Sequence, residues 1–106
     1  MAIIFYDHLF SKQQVQDLIN EVEEAENLRG RLHQLVDDIL YQGIINLILA
    51  KLDQKKHDLF LEMLHERPYD TEIIIFLRQH AHPNIEDDIK QEAEKLLCDI
   101  IKDMLP

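Results

Sequence analysis

The sequence predicts an all-α fold, a compact bundle of about five helices with an apolar N-terminal arm or short helix. Three observations carry that expectation. Two glycines and three prolines in 106 residues supply too few turns for a many-stranded sheet. Apolar residues recur at three- and four-residue spacing along most of the chain. Two proline-centred breaks, Arg67-Pro68-Tyr69-Asp70 and His82-Pro83-Asn84, are each followed by residues suited to starting a helix. A content of 46% apolar and 30% charged residues belongs to a globular chain rather than a disordered one, and the length fits one helical domain over 1–106.

Taken in order, Ile3-Ile4-Phe5-Tyr6 with Leu9-Phe10 is too short for periodicity to decide between arm and helix, but it is apolar enough to require burial. Ser11 followed by Gln14 resembles a capping box, and Val15, Leu18, Ile19, Val22 and Ala25 then fall on one face, which predicts a helix over 12–26. From Leu28 the pattern runs through Leu32, Leu35, Val36, Ile39 and Leu40. It then thickens into Ile44, Ile45, Leu47, Ile48, Leu49 and Leu52. The expected helix is 28–52, with residues 39–52 at the centre of the bundle or inside an interface. Asn27 and Gly30 mark the expected break between these two helices; without one, residues 12–52 would form a rod of roughly 60 Å that needs a second chain.

Asp53 caps a helix expected over 54–66, in which Phe60, Met63 and Leu64 share a face. Asp70 or Thr71 caps the next, expected over 71–81. Its run Ile73-Ile74-Ile75-Phe76-Leu77 would also suit a strand, but a lone strand has no partner here. Pro83 stops that helix, Asn84 is placed as an N-cap, and Glu86, Asp87 and Asp88 put negative charge at the positive end of the last one. The stripe Ile85, Ile89, Ala93, Leu96, Ile100 and Met104 predicts a helix over 85–105, roughly 31 Å long and able to close over the others as a strap.

Asp53-Gln54-Lys55-Lys56, Phe60 with Met63, Tyr69-Asp70-Thr71-Glu72, Phe76-Leu77 and the step Pro83-Asn84-Ile85-Glu86 into a long terminal helix have a further implication. Together they make residues 28–105 resemble a family of small, acidic helical proteins of unknown function from uncultured bacteria of reduced genome. The resemblance implies a helical bacterial protein and brings no catalytic motif with it.

Twenty-one acidic residues against eleven basic ones leave a net charge of −10, which repels phosphates and argues against direct nucleic-acid binding. Acid concentrates in residues 12–27 and 84–106, whereas 28–56 is mildly basic, a distribution that favours an antiparallel arrangement of middle against ends. The longest apolar-rich run, Ile39 to Ala50, contains Gln42 and Asn46 and falls short of the ~20 residues that span a bilayer. The start lacks a basic region and a cleavage site, so the mature chain is expected to begin at Met1 and to stay in the cytoplasm. The single cysteine, Cys98, suits that reducing compartment, and its neighbours Leu96, Leu97, Ile100 and Ile101 suggest a buried core position.

Few residues invite a chemical reading. His80-Ala81-His82, with Glu72 and Glu86 on either side, could hold a metal only on an extended segment; on a helix the two rings point apart. His57, Asp58, Glu62 and His65 read as a solvated helical surface, and Ser11 as an N-cap. The neighbours in Asp37-Asp38 and Asp87-Asp88 diverge by about 100° on a helix. No catalytic, cofactor-binding or metal residue is assigned, and no cofactor is expected. The sequence points to a non-enzymatic protein–protein interaction module. Its partner would be another protein or a second copy, with a homodimer through Ile39–Leu52 or Ile3–Phe10. An acidic decoy that blocks a nucleic-acid-binding protein is the alternative, and a metal-dependent enzyme using the histidines a second one.

Overall fold

Side-chain acceptors mark three of the helix starts in the computed structural model, which describes residues 4–22 and 24–104. Ser11 Oγ accepts from the Gln13 N–H at 3.2 Å ahead of α1 (Gln13–Val22). Asp53 Oδ1 accepts from the Lys55 N–H at 3.1 Å and opens a 3₁₀ turn, Gln54–Lys56, that runs into α3 (His57–Glu66). Of the two candidates before α4 (Glu72–His80), Asp70 is the cap: its Oδ1 accepts from the Glu72 N–H at 2.9 Å, and the Thr71 side chain makes no such bond. The Asn84 carbonyl accepts from the N–H groups of Asp87 and Asp88 where α5 (Ile85–Met104) begins. The helix-or-strand ambiguity at 73–77, a run of three isoleucines with Phe76 and Leu77, resolves as helix, and no strand occurs among the described residues.

The break between the first two long helices does not lie at Asn27 or Gly30. Both belong to α2 (Glu26–Lys51), and α1 stops at Val22, four residues short of the expected end. Ala25 is extended, with ψ of 118°, and its carbonyl accepts from the N–H groups of Leu28 and Arg29, while Arg29 Nη1 donates to the Glu24 carbonyl at 3.0 Å. The physical reason is burial. Val15 and Ile19 are buried but Val22 is already 56% exposed, so a further turn of α1 would cover nothing. Glu24, just beyond α1, is acidic where the negative end of a helix disfavours such charge. Gly30, by contrast, has no atom within 4 Å of where a Cβ would stand, and about 1 kcal/mol of lost propensity does not stop a 26-residue helix.

α2 and α5 run antiparallel as the central pair. Gly43 lies against Leu96, and Lys51 Nζ stands 3.7 Å from Asp88 Oδ2, where the mildly basic middle meets the acidic end. One core joins Leu40, Ile44 and Ile48 of α2 to Ile85, Ile89, Ala93 and Leu97 of α5. Val15 and Ile19 close it from α1, Phe60 and Leu64 from α3, and Ile73, Ile74 and Leu77 from α4. Each such side chain contributes about 1.5–3 kcal/mol of burial against the entropy of ordering the chain. The buried stripe of α5 shifts from Leu96 to Leu97, because the C-terminal half of this helix packs against α1 as well as α2.

The same shift corrects the reading of Cys98, which is exposed rather than in the core. It follows Leu97 by one helical step of about 100°, which carries it off the buried face.

The N-terminal segment is docked, with Asp7–Leu9 as a single 3₁₀ turn. The Phe5 N–H donates to the Pro68 carbonyl at 2.7 Å, and the Phe5 ring meets Phe60 edge-on with centroids 6.4 Å apart. Phe5 and Tyr6 are buried, as are Leu40, Ile44, Ile45, Ile48 and Leu52. Both stretches expected to reach a partner therefore spend most of their apolar side chains inside the chain; Ile3 lies outside the described residues, as does the end of the last helix at 105. No described helix is long and apolar enough to cross a membrane.

Candidate functional site

The residues that the sequence singles out for chemistry are engaged separately. His80 ends α4 with its ring against Phe76, centroids 4.7 Å apart. His82 lies beyond the helix, where its Nδ1 accepts from the Asn84 N–H at 3.2 Å and stands 3.3 Å from Asp88 Oδ2. The first contact needs an unprotonated Nδ1, and the second becomes a hydrogen bond only when Nδ1 carries a proton. Asp88 Oδ2 is buried and has no hydrogen-bond partner, and the Lys51 amine stands 3.7 Å from it. Glu86 is held by Arg78, whose Nε reaches its Oε1 at 2.6 Å. No three His, Cys, Asp or Glu side chains among the described residues converge as a metal site would require.

The remaining candidates are structural. His57 Nε2 donates to the Leu52 carbonyl at 3.0 Å, fixing the corner between α2 and α3. Asp58, Glu62 and His65 are exposed or partly exposed along α3. Asp37 pairs with Lys12 at 2.8 Å, Asp38 accepts from Gln34 Nε2 at 2.9 Å, and Ser11 is spent on the Gln13 N–H.

Two features were not expected from the sequence. The first is a cleft of about 410 Å³ between the N-terminal segment and α2. Its walls are the rings of Tyr6, Phe10 and Tyr41, and Asp7, Asp37 and Asp38 supply carboxylates with Lys12 among them. Tyr6 and Phe10 stack at 5.9 Å. Tyr6 is only 4% exposed, and burial, reinforced by the charge of Asp7, pushes its hydroxyl well above the usual phenol range. The signal for this site was non-local: Tyr6 meets Tyr41 only because Phe5 is pinned to Pro68.

The second is an exposed apolar stripe on the N-terminal half of α2. Leu28 and Leu35 are 41% and 54% exposed, with Leu32 and Ile39 half-buried between and beyond them. The register set by Gly43 with Leu96 and by Lys51 with Asp88 brings Met104 level with Leu35. Arg31 is exposed on this stretch and makes no ion pair among the described residues.

Comparison with protein-family models, with curated proteins and with solved structures finds no match to this chain.

Proposed function

We propose that this protein is a non-catalytic interaction module that pairs with a second copy of itself along the N-terminal half of α2. The stripe of Leu28, Leu32, Leu35 and Ile39 carries the reading, with spacings of four, three and four along a helix face left open in the single chain. In an antiparallel pairing, Leu28 faces Ile39 and Leu32 faces Leu35 of the second copy. The flanking charges then match: Arg31 of each copy falls beside Asp38 of the other, twice by symmetry. A parallel pairing would place Arg31 beside Val36, which is buried in its own chain. That the histidines, paired acids and Ser11 are taken up by caps and ion pairs supports the non-catalytic part.

Sedimentation of the full chain from micromolar to millimolar concentration tests the proposal. The expected result is a reversible dimer, weakened about tenfold or more by Leu35→Asp, which buries a charge against Leu32 of the second copy. Leu35 is exposed in the single chain, so its helical signal should persist. A monomer throughout, a monomer that captures only some other protein, or a dimer indifferent to Leu35→Asp would each overturn the reading.

A further inference from the structure

We propose that the cleft between the N-terminal segment and α2 is a binding site for an alkylammonium group, with the alkyl chain on the rings and the cationic head on the carboxylates. This does not rest on pairing along α2, although Asp38 borders both surfaces.

Charge is the first ground. Asp7, Asp37 and Asp38 face one amine, that of Lys12, whose contact with Asp37 at 2.8 Å shows an ammonium already seated on one of the three. Asp7 Oδ2 accepts the Ile4 N–H at 3.0 Å and Asp38 Oδ1 accepts an amide of Gln34, so neither is paired with a cation among the described residues. Within one copy, two carboxylates therefore remain uncompensated beside an apolar wall, where an opposite charge is worth more than in open water.

The second ground is independent of the acids. Tyr6 is more than nine-tenths buried, yet its hydroxyl has no hydrogen-bond partner among the described residues. Tyr6 lines the cleft together with Asp7, Asp37 and Tyr41. The Tyr6 oxygen is not among the fully buried unpaired atoms, so it is open to the cleft, where a ligand could take the place of water as its partner. Because phenol oxygen can accept as well as donate, an ammonium N–H suits it.

Shape and wall chemistry select the rest of the ligand. The volume lies within the range of small-molecule sites. The stacked Tyr6 and Phe10 with the 43% exposed Tyr41 offer faces to methylene groups and to the cation itself. A free alkylamine and a lysine side chain share this chemistry.

Amide chemical shifts of the full chain, followed during titration with n-butylammonium, with Nα-acetyl-lysine amide and with n-butyrate, provide the test. Saturable shifts within Ile4–Phe10 and Gln34–Tyr41 are expected for the two amines at about millimolar concentration, and none for the carboxylate. Tighter binding of the lysine amide would identify a peptide side chain as the source, and tighter binding of butylammonium a free amine. Asp7→Asn, which keeps an oxygen for the Ile4 N–H, should weaken binding about tenfold. Lys12→Met, which frees Asp37, should strengthen it about threefold. Tyr6→Phe gives a second loss without removing the ring. Absence of saturation with either amine up to about 10 mM, equal shifts with butyrate, or unchanged affinity in Asp7→Asn would overturn the proposal.

Discussion

A Cβ added to Gly43 would stand 2.5 Å from Leu96 Cδ1, so the missing side chain is what lets α2 and α5 approach at the middle of the bundle. Gly30, on the same helix, has open space in that direction. The two glycines therefore predict opposite outcomes from one substitution. Gly30→Ala should stabilise the protein by roughly 0.5–1 kcal/mol, the ordinary gain in helix propensity. Gly43→Ala should lose that gain to the displacement of Leu96, and the larger Gly43→Val should destabilise by about 1–3 kcal/mol. Urea unfolding of the three variants checks both signs.

The cap before α4 makes a second pair of contrasting substitutions. Asp70→Ala removes the acceptor of the Glu72 N–H and should cost about 1 kcal/mol. Thr71→Ala removes no capping bond and should stay within about 0.5 kcal/mol. Equal losses from the two variants in thermal unfolding would mean that the cap is misassigned.

Tyr6 gives the fold an alkaline limit. Burial holds its hydroxyl in the neutral form, so its folded-state pKa lies above its unfolded one. Below about pH 10 the group is neutral in both states and costs nothing. As pH rises through that value, the unfolded chain releases a proton that the folded chain retains, and stability falls. Melting temperatures measured upward from pH 8 should decline less steeply in Tyr6→Phe than in the unaltered protein. Parallel declines would remove Tyr6 from the account.

Much of this architecture is visible in the chain because its signals are local. Pro68 and Pro83 end helices within two or three residues of where they stand, and Asp53 and Asp70 cap the turns beside them. The end of α1 is not local: it depends on Val22 finding nothing to pack against, which no spacing along 12–26 reveals. Cys98 sits among four apolar neighbours in sequence, yet one helical step separates it from the face that α1 and α2 cover. The candidate sites lie further still from sequence reach. Tyr6 and Tyr41 share a cleft through a backbone bond at Pro68, and the spacing of Leu28 and Leu35 does not reveal that their face of α2 stays open.

Self-pairing along α2 depends most directly on the opposition of Arg31 to Asp38 across the two copies, and a charge exchange within the chain isolates it. Arg31→Asp places two carboxylates at each contact and should weaken the dimer about fivefold, given two exposed pairs of about 0.5 kcal/mol each. Asp38→Arg places two guanidinium groups there and should weaken it similarly. The double variant Arg31→Asp/Asp38→Arg restores opposite charges in the antiparallel register, and its dimerisation constant from sedimentation equilibrium should return to within about twofold of the original. A double variant as weak as the single ones added together would contradict the pairing.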